Sequence, residues 1–380
     1  MTETPLRILH VVGRMTRGGV ETWLMHMLRR MDRGRFRMDF LVSSPEEADY
    51  DSEIRALGGR PLVCGDRHLP WRFAKRFREI LETRGPYDIV HSHVQHFNGL
   101  ALWLAARAGV RGRIAHSHNT SDGRPNGWAR GLYRAAMERW ISASATDLLA
   151  CSRDAAAALF GENWPADPRC RVLYYGIDSA PLAAQVDRAE ARAEFGIPAG
   201  AMVVGHVGRF AEQKNHARLV EMASALAGAR SPVWFLLVGD GPLRENVRRK
   251  VREQGLENRF VFAGVRSDVG RLMVGVMDVF VFPSLHEGLP LAGLEAQAAG
   301  LPCLISDRVS RETSITPATT RFLPLESSPR EWARAALALG EGPRIPREEA
   351  LRALKAAGFD CRDTVGSLGS LYEHIAASRD

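Results

Sequence analysis

Short, almost unbroken apolar runs alternate with amphipathic stretches along most of the 380 residues. The runs at 6–12, 38–42, 88–90, 113–115, 147–150 and 171–173 have strand length. The stretches at 20–31, 71–83, 98–107, 127–144 and 153–160 have the length and apolar spacing of helices. Near-continuous apolar strands, each followed by a helix, predict a parallel sheet covered on both faces. The alternation breaks over 177–198, which reads as an interdomain connection with a helix inside. It resumes with strands at 202–207, 233–238, 259–262, 279–283 and 303–306, and helices at 217–226, 243–254 and 291–299. From 328 onward the chain looks helical, with interruptions at 340–346 and 358. The expected organisation is an α/β chain of two doubly wound units, 1–180 and 181–357, followed by a terminal helix at 358–380.

In open parallel sheets ligands bind beyond the carboxyl ends of the strands, and two tandem units are expected to meet across a cleft. Residues just after strands are therefore the first to inspect. The first strand runs into GRMTRGGVETW, where Gly18 and Gly19 precede a helix. A glycine pair there permits positive φ and lets backbone N–H groups approach an anion. The spacing is neither that of a Walker loop nor that of a dinucleotide fingerprint. In the second half, the strand at 202–207 ends in GRFAEQKNH. Arg209 and Lys214 then stand at the mouth of the sheet, where two cations suit a diphosphate and stabilise charge on a departing phosphate.

The segment VFVFPSLHEGLPLAGLEAQAAGLPCLISD carries more. An apolar strand ends at Pro283, a loop presents His286, Glu287 and Gly288, and a helix starts near Pro290. Backbone N–H groups around Gly288, Leu289 and Leu291 suit an anion. Glu287 precedes that helix and Glu295 lies within it, and a carboxylate accepts two hydrogen bonds from adjacent sugar hydroxyls.

Composition narrows the field. Hydrophobic residues are 45% and charged residues 25%, the mix of a folded globular protein. Net charge is +7, and of the 51 basic residues only four are Lys, so basicity is carried by Arg, a residue suited to phosphate and carboxylate. The positive charge is dispersed and no nucleic-acid motif appears. Five cysteines without a Cys-x-x-Cys pair point to a reducing cytoplasm. The first residues lack the pattern of a signal peptide, and no apolar run approaches the ~18 residues of a membrane-spanning helix.

The order of these motifs resembles the retaining glycosyltransferases of family 4, with the GT-B fold. Carrying the resemblance are GGVE at 18–21, YYGID at 174–178, GRFAEQKNH at 208–216, LVGDGPLRENV at 237–247, FAGVRSDV at 262–269, and HEGLP leading to EAQAAGLP. Tyr175 stands where that family commonly has Asn. AHSHNTS and the EAQAAGLPCLISD tail look closest to bacterial exopolysaccharide and capsule transferases. The resemblance implies that the terminal helices pack back on the first domain. It also implies a donor, probably a UDP-sugar, whose diphosphate is held by Arg209 and Lys214. Gly18 and Gly19 would lie near its phosphates and sugar, Glu287 and the loop after it on the sugar, Glu295 on the ribose, and Val265 at the base. His118 matches the family's active-site histidine. No residue stands out as a covalent nucleophile, and two cations are surplus to a glycosidase. Same-face attack through an oxocarbenium-like state is therefore expected, with no metal or other cofactor.

His91, His93, His96, His116 and His118 follow two neighbouring strands. Such a run can bind zinc, but no Cys or acidic ligand accompanies it. Hydrogen-bonded histidines near an acceptor pocket are the expected reading, with His93 and His116 as acceptor-side candidates. The stretch RHLPWRFAKRFREILETRG sets Trp71, Phe73, Phe77, Ile80 and Leu81 among Arg67, Arg72, Lys75, Arg76 and Arg78. It reads either as a helix on an anionic membrane, with a lipid-linked acceptor, or as a sheet-covering helix with Trp and Phe in the core. We take the second. The function expected is sugar transfer to a saccharide or lipid-linked saccharide in surface polysaccharide synthesis. The alternatives are a sugar-nucleotide epimerase or hydrolase of the same fold and a non-catalytic nucleotide-sugar-binding subunit. A UDP-release assay with and without acceptor separates the three.

Overall fold

A computed structural model describes residues 4–65, 69–121, 127–226 and 232–377. Arg67, named in the basic stretch, lies outside them. The chain forms two compact units, one of 1–176 and 361–380, the other of 177–360.

Among the described residues, the first unit has seven strands: β1 (Leu6–Val11), β2 (Phe36–Val42), β3 (Pro61–Val63), β4 (Ile89–Ser92), β5 (Gly112–Ser117), β6 (Asp147–Ala150) and β7 (Cys170–Val172). Their order is β3-β2-β1-β4-β5-β6-β7, with every pairing parallel. The second unit repeats the plan with β8 (Met202–Val207), β9 (Val233–Val238), β10 (Phe260–Gly264), β11 (Val279–Phe282), β12 (Cys303–Ser306) and β13 (Thr320–Leu323). Its order is β10-β9-β8-β11-β12-β13, also parallel throughout. The direction of winding reverses between β1 and β4 in one sheet and between β8 and β11 in the other. Crevices beyond the strand ends open at such points.

Helix cover explains the apolar runs. Strands β6, β11 and β12 are buried at every position because helices pack on both faces. Trp332 on the helix Pro329–Glu341 is fully buried in the second core, and that helix starts with a complete capping box between Ser328 and Glu331. The helix Cys361–Ala377 belongs to the first unit and buries Leu368, Leu371 and Tyr372.

Three features differ from the sequence pattern. β3 and β13 are edge strands of three and four residues, mostly half-exposed, too short and too mixed for an apolar run. The segment from 177 is packed into the second unit. Pro181 and Leu182 close on Gly270, and Val186 and Ala191 on Gly275, so it folds as part of that body. On the helix Pro70–Arg84, Phe73, Phe77, Ile80 and Leu81 are buried, but Trp71 is 66% exposed and lies outside the core assigned to it.

Candidate functional site

In the second unit both motifs leave the sheet at its reversal point. Arg209 follows β8 by two residues, is exposed, and forms no ion pair among the described residues. Lys214 closes the tight turn Glu212–Lys214 and points back to the other motif. Its Nζ lies 2.5 Å from Glu287 Oε1 and 4.8 Å from the ring centre of Phe282, the last residue of β11. Backbone and amide groups join the two loops. Leu285 N donates to Gln213 O at 2.8 Å, Gln213 Nε2 to His286 O at 2.8 Å, and Asn215 Nδ2 to Pro283 O at 3.2 Å. Asn215 sits at φ 51°, a left-handed conformation its short amide tolerates.

The helix that follows, Leu291–Ala298, begins at Pro290 without a side-chain cap and without an acidic residue in its first turn. Leu289 and Leu291 are buried and anchor that end. The first-turn N–H groups thus keep their affinity for an anion. Glu295 stands a turn further on, half-buried. Burial, with the charge of Asp178 second, pushes its carboxyl up to about 7. Gln297 ties the helix to the loop beyond: its Nε2 donates to Gly293 O and Thr313 O at 3.0 and 2.7 Å, and its Oε1 accepts from Ile315 N and Thr316 N at 2.9 and 3.1 Å. Val265, 47% exposed, follows Gly264 at the end of β10.

Close backbone packing holds the Arg209 loop. Gly239 has φ 132°, and a Cβ there would lie 2.2 Å from Gly208 O. Phe210 N donates to Asp240 O at 2.9 Å, and Leu243 N to Phe210 O at 2.9 Å. Sequence reasoning missed three neighbours of this loop. His206 donates from Nδ1 to Val281 O at 2.9 Å, while its Nε2, both ring nitrogens of His216, and Ser284 Oγ are buried without hydrogen-bond partners among the described residues. Burial lowers His206 to about 4 and His216 to about 2, so both rings are neutral at neutral pH. The only sequence signal was their placement at strand and helix ends, which an apolar pattern does not single out.

In the first unit, Gly18 caps the helix Gly19–Arg30 at φ −109°, and neither Gly18 nor Gly19 adopts positive φ. The conformational reason expected for the pair is therefore not the one in force. A Cβ on Gly18 would meet Glu21 Oε2 at 2.4 Å, whereas one on Gly19 would meet open space. Trp23, fully buried one turn into that helix, lies against the rings of His93, His116, His118 and Tyr175.

The histidines form two hydrogen-bonded lines. One runs from Tyr175 OH to His118 Nδ1 (2.5 Å), from His118 Nε2 to His93 Nδ1 (2.8 Å) and from His93 Nε2 to His10 Nδ1 (3.0 Å). The other runs from Tyr372 OH to His91 Nδ1 (2.8 Å) and from His91 Nε2 to His116 Nδ1 (3.1 Å). Burial holds His10 and His118 down at about 3 and the other three well below the usual imidazole range, so every ring is neutral. His10 and Tyr372 were missed because they are far off in sequence. β1 brings one beside β4, and the returning helix brings the other. Tyr175, at the position where the family this sequence resembles commonly has Asn, supplies a hydroxyl that reaches His118. His96, by contrast, turns to Glu138 at 3.3 Å. The ligand nitrogens of His10, His91 and His93, and those of His93, His116 and His118, lie close enough to share an ion.

Residues 18–176 match the family described as "Glycosyl transferase 4-like domain", and residues 187–357 that described as "Glycosyl transferases group 1". The "Putative glycosyltransferase EpsF" of Bacillus subtilis (strain 168) is 36% identical over 100% of this chain and 99% of its own length. A "UDP-Gal:alpha-D-GlcNAc-diphosphoundecaprenol alpha-1,3-galactosyltransferase" of Escherichia coli is 25% identical over 80% of each chain. Among solved structures, Anabaena Alr3699/HepE in complex with UDP and glucose superposes with a TM-score of 0.77 at 19% identity, over 97% of this chain and 100% of that one. That likeness is one of fold. Among the described residues, no helix is long and apolar enough to cross a membrane.

Proposed function

Because this chain belongs to the family 4-like glycosyltransferases and has their GT-B pair of Rossmann-like sheets, we propose that it moves a hexose from a UDP-sugar to a saccharide or lipid-linked saccharide, with retention of configuration. The reading rests above all on the Lys214–Glu287 contact. It joins two motifs 73 residues apart at the reversal point of the second sheet, where open parallel sheets bind ligands.

In this reading Arg209, Lys214 and the uncapped N–H groups at Leu291 hold the donor diphosphate. They stabilise the negative charge that grows as the bond from C1 to oxygen breaks. Glu287, its carboxylate steadied by Lys214, accepts hydrogen bonds from the transferred sugar, and Glu295 accepts them from the ribose. Val265 meets the base through its backbone, and Gly18 and Gly19 leave room for phosphate and sugar. His118, neutral and oriented by Tyr175 and His93, faces the sugar being moved, and His93 and His116 belong to the acceptor side. The departing phosphate takes the acceptor's proton, and the step needs no resident metal. The UDP and UDP-glucose complexes of HepE, and the UDP-Gal and diphosphoundecaprenol in the E. coli relative's name, support this choice of donor and acceptor class.

Turnover tests the assignment. UDP should be released from a UDP-sugar faster when a saccharide or lipid-linked acceptor is present. Release unaffected by any acceptor favours hydrolysis or epimerisation, and no release from any sugar nucleotide favours a binding subunit.

Glu295 adds a pH dependence. A group at about 7 in the free protein must ionise to accept two ribose hydroxyls, so ligand favours the carboxylate. UDP affinity should fall about tenfold from pH 8 to pH 6 beyond the loss due to the nucleotide's own phosphate. Titration calorimetry of the wild type and of Glu295→Gln isolates this component. It is absent from the variant, and an identical pH profile in both contradicts the role.

Exposure of Trp71 reopens peripheral membrane contact, the alternative set aside from the sequence alone. Exposed Trp71 stands with exposed Arg72, Lys75, Arg76 and Arg78 on one helix. Salt-sensitive flotation with anionic vesicles is expected, and its absence removes the membrane from the account.

A further inference from the structure

We propose that His93, His116 and His118 form a three-imidazole binding site for a borderline first-row divalent cation such as Zn²⁺. Their ligand nitrogens all lie within 4.8 Å of one another. Each ring spends its other nitrogen on a fixed partner: His93 Nε2 on His10, His116 Nδ1 on His91, and His118 Nδ1 on the Tyr175 hydroxyl. This is how metal-binding imidazoles are oriented, with an outer partner setting tautomer and ring angle. A separate observation points the same way. His116 Nε2 is completely buried and has no hydrogen-bond partner among the described residues, which is costly for a polar atom unless something binds it.

Two nitrogens must yield. His93 Nδ1 and His118 Nε2 now share one hydrogen at 2.8 Å. A cation at about 2.0–2.1 Å from each in tetrahedral geometry would spread them to about 3.3 Å. Both lone pairs then face the cation, and the ring protons sit on the outer nitrogens, His93 Nε2 towards His10 and His118 Nδ1 towards Tyr175. No net proton is released. His118, the least buried of the three, is the point of entry, and the fourth position is left to solvent. The alternative triad of His10, His91 and His93 is buried throughout and lacks such an entry.

The donor set fixes the class of ion. With three neutral nitrogens and no carboxylate, it suits Zn²⁺, Co²⁺, Ni²⁺ or Cu²⁺, and offers nothing to Mg²⁺ or Ca²⁺, which take oxygen ligands. If His118 faces the sugar as proposed above, an ion here takes it out of use and slows transfer. That consequence rests on the proposed function, but the site itself does not.

The test therefore reads binding rather than turnover. Chelator-treated full-length protein is titrated with Zn²⁺ against a chromogenic chelator, and with Co²⁺ by visible absorption. One ion per chain is expected, with a tetrahedral-type cobalt spectrum and no competition from millimolar Mg²⁺. His116→Gln and His93→Gln, checked for folding by circular dichroism, should each bind at least about 100-fold more weakly. His374→Gln, at an exposed position, should bind as the wild type does. Absence of Zn²⁺ and Co²⁺ binding to the wild type at about 100 µM overturns the proposal whatever the variants do. So does unchanged binding in both folded variants.

Discussion

Lys214→Ala should lower kcat by at least about 10²-fold, the loss that follows removal of one charge partner from a transition state. In the proposed mechanism the ammonium group has two roles. It neutralises the departing diphosphate, and it holds Glu287, whose side chain is only 10% exposed, at 2.5 Å. Without it the Glu287 carboxylate stays in a low-dielectric setting with its cation gone, which costs the folded state as well. The two roles separate in a double-mutant cycle. If Lys214 acts mainly by steadying Glu287, the double variant Lys214→Ala, Glu287→Gln should be little slower than the slower single variant. If the lysine acts on the phosphate, the losses should approach the sum in free energy. Steady-state kinetics with a saturating acceptor, beside circular dichroism to confirm folding, gives the result. Near-normal turnover of Lys214→Ala contradicts the mechanism.

A second large effect is expected from a residue with no side chain. Gly239→Ala should destabilise the second unit by about 3–5 kcal/mol, combining a backbone conformation open almost only to glycine with an overpacked contact. The φ of 132° is unfavourable for any Cβ, and the atom it would meet at 2.2 Å is a backbone oxygen, that of Gly208, which cannot swing aside as a flexible side chain would. Relief requires the strand end after β8 to move, and with it Arg209. The variant should therefore lose donor affinity together with stability, measured by urea unfolding and by UDP titration on the folded fraction. Gly19→Ala is the informative contrast. Its Cβ would enter open space at negative φ, so stability should hold, and any loss would be confined to donor binding.

These two positions show what the sequence could disclose. Strands such as β11 and β12 were legible because burial on both faces leaves a continuous apolar run, whose end marks where chemistry begins. Arg209, Lys214 and Glu287 stood out for that reason. The contact between Lys214 and Glu287 did not, because it depends on β8 and β11 being neighbours while β9 and β10 lie on the far side of β8. Edge strands β3 and β13 lacked signal because half of each faces outward. The histidine lines were half legible. His91, His93, His116 and His118 are close in sequence to one another. Their outer partners are 57 to 281 residues away and enter only once the sheet order and the returning helix are known. Gln297 looked like part of a motif tail and is instead the fastener of the helix that carries Glu295.

The central claim is that the second unit grips a nucleotide diphosphate at the β8–β11 reversal. Titration calorimetry of UDP into the wild-type protein at pH 8 tests it most directly. The account predicts one site per chain with a Kd below about 1 mM, equivalent to more than about 4 kcal/mol of binding free energy, and marked weakening in Lys214→Ala. No heat of binding from UDP, GDP, ADP or any of their sugar conjugates would contradict it.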